Sequence, residues 1–180
     1  DEDEEARRLL EEIRKVIEEA EEEAKRLNER LRRVIKEHHR KVKELLDEIE
    51  RVIEKVLRAR GDDRDVRRII KEIRERLERL REEAERVDRK LKEHLERNEK
   101  KVEEMRKRIT KLLDDLRKRL KELSVDELRE RVREIKEKLR KDLKDSEDDH
   151  RRMEEEIKKS LERLERLVRE IIKDLEEKLR

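Results

Sequence analysis

The chain of 180 residues has no cysteine, no proline, no Phe, Trp or Tyr, and a single glycine, Gly61. Without cysteine it has neither disulfide bonds nor thiolate metal ligands. Without proline, and with one glycine, it lacks the residues that usually interrupt helices. No apolar run approaches the roughly 18 residues that cross a bilayer. No signal-peptide pattern opens the chain, so its localisation stays open.

Charge dominates the composition, but neither sign prevails. Charged residues make up 63% of the chain, against about 25% in average soluble proteins. The 58 basic and 56 acidic residues leave a net charge of +2. Proteins that bind nucleic acid or membrane surfaces usually show a basic excess, so we expect neither partner. Disorder is also unexpected, because 31% of the residues are hydrophobic and regularly spaced.

Helix-ending signals occur in two places. Gly61 is predicted to close one helix in the left-handed conformation, and Asp62 or Asp63 to cap the next. Ser124 and Glu127 have the S-x-x-E spacing of a capping box. These signals predict helices over about 2–60, 63–122 and 125–179, in a single domain over 1–180.

The apolar residues repeat every 18 positions, as at Leu9, Leu27 and Leu45. Eighteen residues make five turns of 3.6 residues, so the apolar stripe follows a straight helix axis. The stripe is wide enough for a core of three helices. The short connections force neighbouring helices to run antiparallel. The predicted fold is therefore all-α: a long, straight, antiparallel (up-down-up) three-helix bundle with little supercoil.

The evenly mixed charges, the glycine confined to a turn and the 18-residue period resemble those of de novo designed, parametrically built three-helix bundles. This resemblance covers the whole chain and rests on these regularities rather than on a family motif. It implies a structural scaffold without natural biochemical activity: not an enzyme, with no cofactor and no required partner. Spectrin-like repeats are the nearest natural alternative, but they typically carry a core tryptophan.

Several polar residues interrupt the 18-residue pattern of apolar positions. Asn28 lies in register with Leu10 and Leu46, and Asn98 with Leu80 and Leu116. With antiparallel helices of equal rise, such residues fall at one level of the bundle. An unpaired buried polar group costs roughly 1–3 kcal/mol, so we expect them to hydrogen-bond one another. The predicted buried network consists of Asn28, His94, Asn98, Ser146 and His150.

A second, looser polar group is predicted further along the bundle. His38 lies in register with Ala20 and Val56 and therefore points inward. Asp88 and Ser160 fall about one turn from its level. His39 is expected to face outward.

Three alternatives remain: a pH-responsive bundle, an adhesion motif at the first turn and an oligomer formed by helix swapping. Buried neutral histidines resist protonation, which would make the bundle pH-responsive. The residues Arg60, Gly61 and Asp62 form RGD, the tripeptide of integrin ligands, which would suggest cell adhesion. Each of the three residues also suits a helix-ending turn. A metal site needs at least three converging ligands, and the histidines do not supply them, so no metal is predicted. A monomer is expected, with an oligomer formed by helix swapping as the alternative.

Overall fold

The computed structural model describes residues 2–179 and contains three helices in a three-helix bundle. These are α1 (Glu2–Arg60), α2 (Arg64–Lys118) and α3 (Val125–Leu179). The predicted all-α fold class is confirmed. The predicted start and end of α1 and α3 agree with the structure, whereas α2 ends at Lys118, four residues before the predicted position.

The helices contribute to two compact units. One contains α1 up to Arg32 together with His94–Arg152, and the other contains Arg33–Glu93 together with α3 from Met153 onward. We refer to them as unit 1 and unit 2. That the whole chain behaves as a single domain stays a prediction.

The turn between α1 and α2 corrects the interpretation of Gly61. No residue of the described chain has a positive φ, so the predicted left-handed conformation is wrong. Instead, a Cβ atom at Gly61 would lie 2.4 Å from the carbonyl oxygen of Leu57. Glycine is therefore required by close backbone approach. The cap of α2 is Asp63, whose Oδ1 accepts a hydrogen bond from the Asp65 amide at 2.9 Å.

The turn between α2 and α3 explains why α2 ends early. The amides of Glu122 and Leu123 both donate to the carbonyl of Arg119, at 3.0 and 3.1 Å. This shared acceptor tightens the chain into a turn. The predicted cap of α3 is confirmed, since Ser124 Oγ accepts a hydrogen bond from the Glu127 amide at 3.2 Å.

Each unit has its own apolar core. In unit 2 an apolar cluster centres on fully buried residues such as Ile49, Ile53 and Ile171. In unit 1 one smaller cluster lies around Ile13 and Leu128 and another lies around Ala20, Ile109 and Leu139. The buried Asn28 and Asn98 and the buried His94 and His150 belong to unit 1, and His38 belongs to unit 2.

Within unit 1, ion pairs fix how α1 and α3 lie side by side. Glu5 pairs with Arg129 and Glu12 pairs with Lys136, each pair separated by 124 positions. The sequence predicts a separation of about 125 for parallel helices of equal rise. The agreement is within one residue, so the level of each polar side chain on these two helices was predictable.

Candidate functional site: a buried histidine and asparagine cluster

Asn28 and His38 occupy core positions of α1. Asn28 is 8% exposed and follows the buried Ala24, while His38 is 1% exposed and lies between the buried Ile35 and Val42. Both continue the spacing of three and four residues that keeps one helix face inward. The helix therefore inserts polar side chains where its own pattern buries apolar ones.

All three helices contribute to the cluster in unit 1, which we call the His/Asn cluster: Asn28, His94, Asn98 and His150. The Asn98 amide nitrogen lies 3.1 Å from His94 Nε2 and 3.3 Å from His150 Nδ1. His150 Nε2 lies 3.3 Å from Asn28 Oδ1. The two imidazole rings meet edge to face, with their centroids 5.7 Å apart. His150 thus links α3 to α1, and Asn98 of α2 packs against the same ring while it bonds His94 on its own helix.

The fifth predicted member, Ser146, takes part through its main chain. Its carbonyl oxygen lies 2.7 Å from His150 Nδ1, one turn further along α3. The Ser146 side chain itself is half-buried and lines a cavity between α2 and α3. The prediction of a buried network side chain at Ser146 needs correction: its hydroxyl lies at the cavity, and its carbonyl oxygen reaches the ring of His150 because the two residues are one helical turn apart.

The short contact with Ser146 decides which nitrogen of His150 carries a proton. A carbonyl oxygen only accepts, so His150 Nδ1 must donate to it. Nδ1 then has no lone pair for the Asn98 amide, whose clear acceptor is His94 Nε2. His94 is therefore the ring that accepts from Asn98, with its own proton on Nδ1 when it is neutral.

The amide group of Asn28 can pair with Nε2 of His150 in one of two orientations. With Oδ1 toward Nε2, both ring nitrogens donate, which is the arrangement of an imidazolium. With the amide rotated by half a turn, its nitrogen donates to Nε2 of a neutral ring. Both arrangements give Nε2 of His150 a hydrogen-bond partner.

Burial disfavours the protonated form of His94. Desolvation lowers the pKa of His94 from its usual 6.5, and the neighbouring His150, Arg97 and Lys101 lower it further. Asp149 opposes this shift. A neutral His94 agrees with its role as acceptor for Asn98, because an imidazolium has no lone pair to offer.

The second polar group, in unit 2, consists of His38, His39 and Asp88. His38 Nδ1 lies 2.8 Å from Asp88 Oδ1, and His39 Nδ1 lies 3.0 Å from Asp88 Oδ2. Since a carboxylate accepts, both imidazoles donate from Nδ1. Asp88 is 15% exposed and His39 is 74% exposed, so the carboxylate joins a core histidine to a surface one.

The outward position predicted for His39 is confirmed, and its ring also bonds to Asp88. The prediction for Ser160 needs correction. Ser160 makes none of these hydrogen bonds: it is half-buried and lines a separate groove between α2 and α3. The physical reason is its place in the fold, since Ser160 lies in the wall of that groove with Ala84 and Leu164. Adjacent histidines on a helix point about 100° apart, and spacing alone did not reveal that one carboxylate reaches both.

His38 Nε2 is the one buried side-chain nitrogen or oxygen without a hydrogen-bond partner in the part of the chain that the structure describes. In a neutral ring protonated on Nδ1 it is an unused acceptor, and in an imidazolium it is an unused donor. Either state carries a desolvation cost of about 1–3 kcal/mol. The His38–Asp88 contact therefore stabilises unit 2 less than a fully paired group would.

Residues 2–179 contain neither a metal-ligand group nor a membrane-spanning helix. These residues contain no group of three or more His, Asp or Glu side chains arranged to hold a metal ion. None of the described helices has an apolar stretch that could cross a membrane. In the RGD sequence, the Arg60 guanidinium donates to the carbonyl of Lys178 at 3.0 Å, so this arginine is held against α3.

Comparisons of the chain with known protein families, with curated proteins and with solved structures found no match.

Proposed function

We propose that the chain is a designed structural scaffold without natural biochemical activity, and that its His/Asn cluster specifies the register of the helices. One observation carries the proposal: His150 of α3 bonds Asn28 of α1 at 3.3 Å, and Asn98 of α2 packs against the same His150 ring. A cluster shared by three helices is satisfied in one alignment only.

The energies support this role. If one helix slid by a turn, about 5.4 Å, the hydrogen bonds between helices would be lost. Each buried group left unpaired costs roughly 1–3 kcal/mol, so losing the bond between His150 and Asn28 leaves two such groups and costs a sizeable part of the typical stability of a domain, about 5–15 kcal/mol. Apolar layers alone discriminate less, since Leu, Ile and Val pack against one another in several alignments.

The surface supports the scaffold proposal independently. Many exposed ion pairs join residues three or four apart on one helix, such as Arg133 with Glu130 and Glu137. Such pairs support isolated helices without requiring a partner. Together with the absence of metal-ligand groups among residues 2–179, this favours a structural element over an enzyme.

The proposal is tested by replacing the whole cluster with leucine: Asn28→Leu, His94→Leu, Asn98→Leu and His150→Leu together. Replacing all partners at once leaves no unpaired group, so the free energy of unfolding should be unchanged or higher. We expect the variant to lose uniqueness, seen as mixed masses in light scattering or a broadened unfolding transition. Asn98→Leu alone is the matched control and should be destabilised, because it leaves His94 Nε2 unpaired.

A second candidate is the same bundle acting as a pH-responsive element, which the lowered pKa of His94 favours. For a histidine whose folded pKa is depressed, stability is complete above the unfolded value of about 6.5 and decreases as the pH falls below it. The midpoint of guanidinium denaturation should then be lower at pH 4.5 than at pH 7.5. An unchanged midpoint, with unchanged mass in light scattering, would leave the scaffold proposal alone.

A further inference from the structure

Few side chains are buried in unit 1 beside the His/Asn cluster. No residue in 99–108 of α2 or in 140–149 of α3 is fully buried. At this level α1 presents small side chains, the buried Ala20 and Ala24. The structure has a cavity of about 310 Å³ here, between α2 and α3 and bounded by Ala24. That volume is within the range of small-molecule sites, roughly 300–1,000 Å³.

The inner wall of this cavity is apolar. It is formed by Val102, Met105 and Ile109 of α2 and by Leu139 and Leu143 of α3. Leu112, at one end, is 45% exposed and is the large hydrophobic residue that the described chain leaves most open to solvent. Covering such exposed apolar surface with an apolar molecule removes it from water, which lowers the free energy.

The rim of the cavity is polarised along its length. Asp142, Asp145 and Asp149 of α3 line one end and, at spacings of three and four, share a face of the helix. At the same end, the charges of Lys101 and Glu104 of α2 cancel. The other end is lined by Arg108 and Lys138. The net charge of the first end is therefore −3, which suits a cationic group.

These acids form no ion pairs between α2 and α3 within residues 2–179, unlike the acids that line a similar groove in unit 2. In unit 2, a groove of about 280 Å³ between α2 and α3 is bridged by two ion pairs, Glu83 with Arg163 and Lys90 with Glu156, each at 3.1 Å. Across the unit 1 cavity no ion pair joins α2 to α3 among the described residues. Asp149 makes a long contact of 3.9 Å with Arg152 on its own helix, and Asp142 and Asp145 make no ion pair within residues 2–179.

We infer that this cavity is a binding site for a small, elongated apolar molecule carrying a single ammonium group. The apolar body lies along Met105, Ile109 and Leu139, and the ammonium group lies against Asp142 and Asp145. No covalent step is involved: binding removes the apolar wall from water and places the cation beside three carboxylates that form no ion pair with α2 within residues 2–179. This inference is independent of the scaffold proposal and does not require the His/Asn cluster to have any particular role.

The test uses three rod-shaped fluorescent probes that differ in charge: diphenylhexatriene, its trimethylammonium derivative and its propionate derivative. Each is titrated with the full chain at low salt. Three partly exposed carboxylates predict that the cationic probe binds about tenfold more tightly than the anionic one. In Asp142→Asn with Asp145→Asn this ratio should fall to about twofold.

Two further variants separate a built site from general adhesion of apolar dyes. Met105→Trp places a larger side chain on the apolar wall and should weaken all three probes at least about fivefold. Glu156→Gln neutralises an acid at the bridged groove of unit 2 and should leave all affinities unchanged. Circular dichroism verifies that each variant is folded.

Equal binding of the three probes, tighter binding of the anionic probe, or no binding at all would overturn the inference. So would undiminished binding to Met105→Trp.

Discussion

His150 donates a hydrogen bond from Nδ1 to the carbonyl oxygen of Ser146, one turn earlier on α3, at 2.7 Å. This contact fixes the ring orientation before any partner on another helix is considered. Nε2 then faces α1 and meets Asn28 at 3.3 Å. The helix that carries His150 thus orients the side chain that joins it to its neighbour.

The first prediction concerns the proton on this ring. Nδ1 of His150 should be protonated at pH 7.5, whether the ring is neutral or charged, because the carbonyl of Ser146 can only accept. Long-range proton–nitrogen correlation spectra distinguish the two ring tautomers directly. A neutral ring protonated on Nε2 alone would contradict this account of the cluster.

The second prediction concerns His94 and pH. Since burial lowers its pKa below 6.5, the unfolded chain binds more protons than the folded chain as the pH falls from this value. The free energy of unfolding should therefore decrease between pH 7.5 and 5.5, a range in which ordinary carboxylates stay largely ionised. In His94→Gln this decrease should be smaller.

The matched control is His39→Gln, at a side chain 74% exposed, which should retain the decrease seen in the original chain. Equal pH dependence in all three proteins would show that His94 is not responsible. Guanidinium denaturation followed by circular dichroism provides the measurement.

The third prediction concerns the His38–Asp88 contact. Asp88→Ala leaves His38, 1% exposed, with both ring nitrogens unpaired, since Nε2 already lacks a partner. The variant should lose about 1–3 kcal/mol of unfolding free energy.

His39→Ala removes the other histidine from the same carboxylate and should change stability by less than about 0.5 kcal/mol, because that side chain is exposed. Denaturation of the two variants under one set of conditions compares them. Equal effects would mean that the buried contact has no special weight.

The fourth prediction concerns the first turn. In Gly61→Ala the new Cβ would lie 2.4 Å from the Leu57 carbonyl oxygen, so the backbone must shift. We expect a loss of about 1 kcal/mol or more, within the range of backbone strain effects. Asp62→Ala, at the next position of the turn, should be nearly neutral. Thermal unfolding of the two variants compares them, and an unaffected Gly61→Ala would show that the turn accommodates a side chain.

The elements that could be predicted from sequence are those set by periodicity. The 18-residue repeat placed Asn28, Asn98 and His150 in the core, because each stands where the repeat otherwise has an apolar residue. Equal helical rise then placed them at similar levels. Ser124 as a helix cap followed from its spacing to Glu127.

The elements that sequence missed depend on contacts between backbones or on side-chain reach. Gly61 was assigned to a left-handed conformation because that is the commonest use of glycine at a helix end, whereas the structure uses its lack of a Cβ. The hydrogen bond between His39 and Asp88 depends on the conformation of an exposed side chain, which helical spacing does not specify. The unit 1 cavity depends on all three helices having small or partly exposed side chains at one level. In the sequence, the small side chain of Ala24 was the one indication of this space.

The central claim is that the His/Asn cluster fixes the register of the helices. Its most direct test is the distance between two nitroxide labels within unit 1, at Arg14→Cys on α1 and Arg152→Cys on α3. Both positions are exposed, and the chain has no other cysteine. The labels are separated along the helix axes by roughly 20 Å, so a slip of one turn changes their distance by about 5 Å.

Pulsed electron resonance on the original chain should give one narrow distance distribution. In the chain with leucine at all four cluster positions, it should give at least two populations about one turn apart. A single, identical distribution in both proteins would contradict the claim, because the apolar layers alone would then be fixing the register.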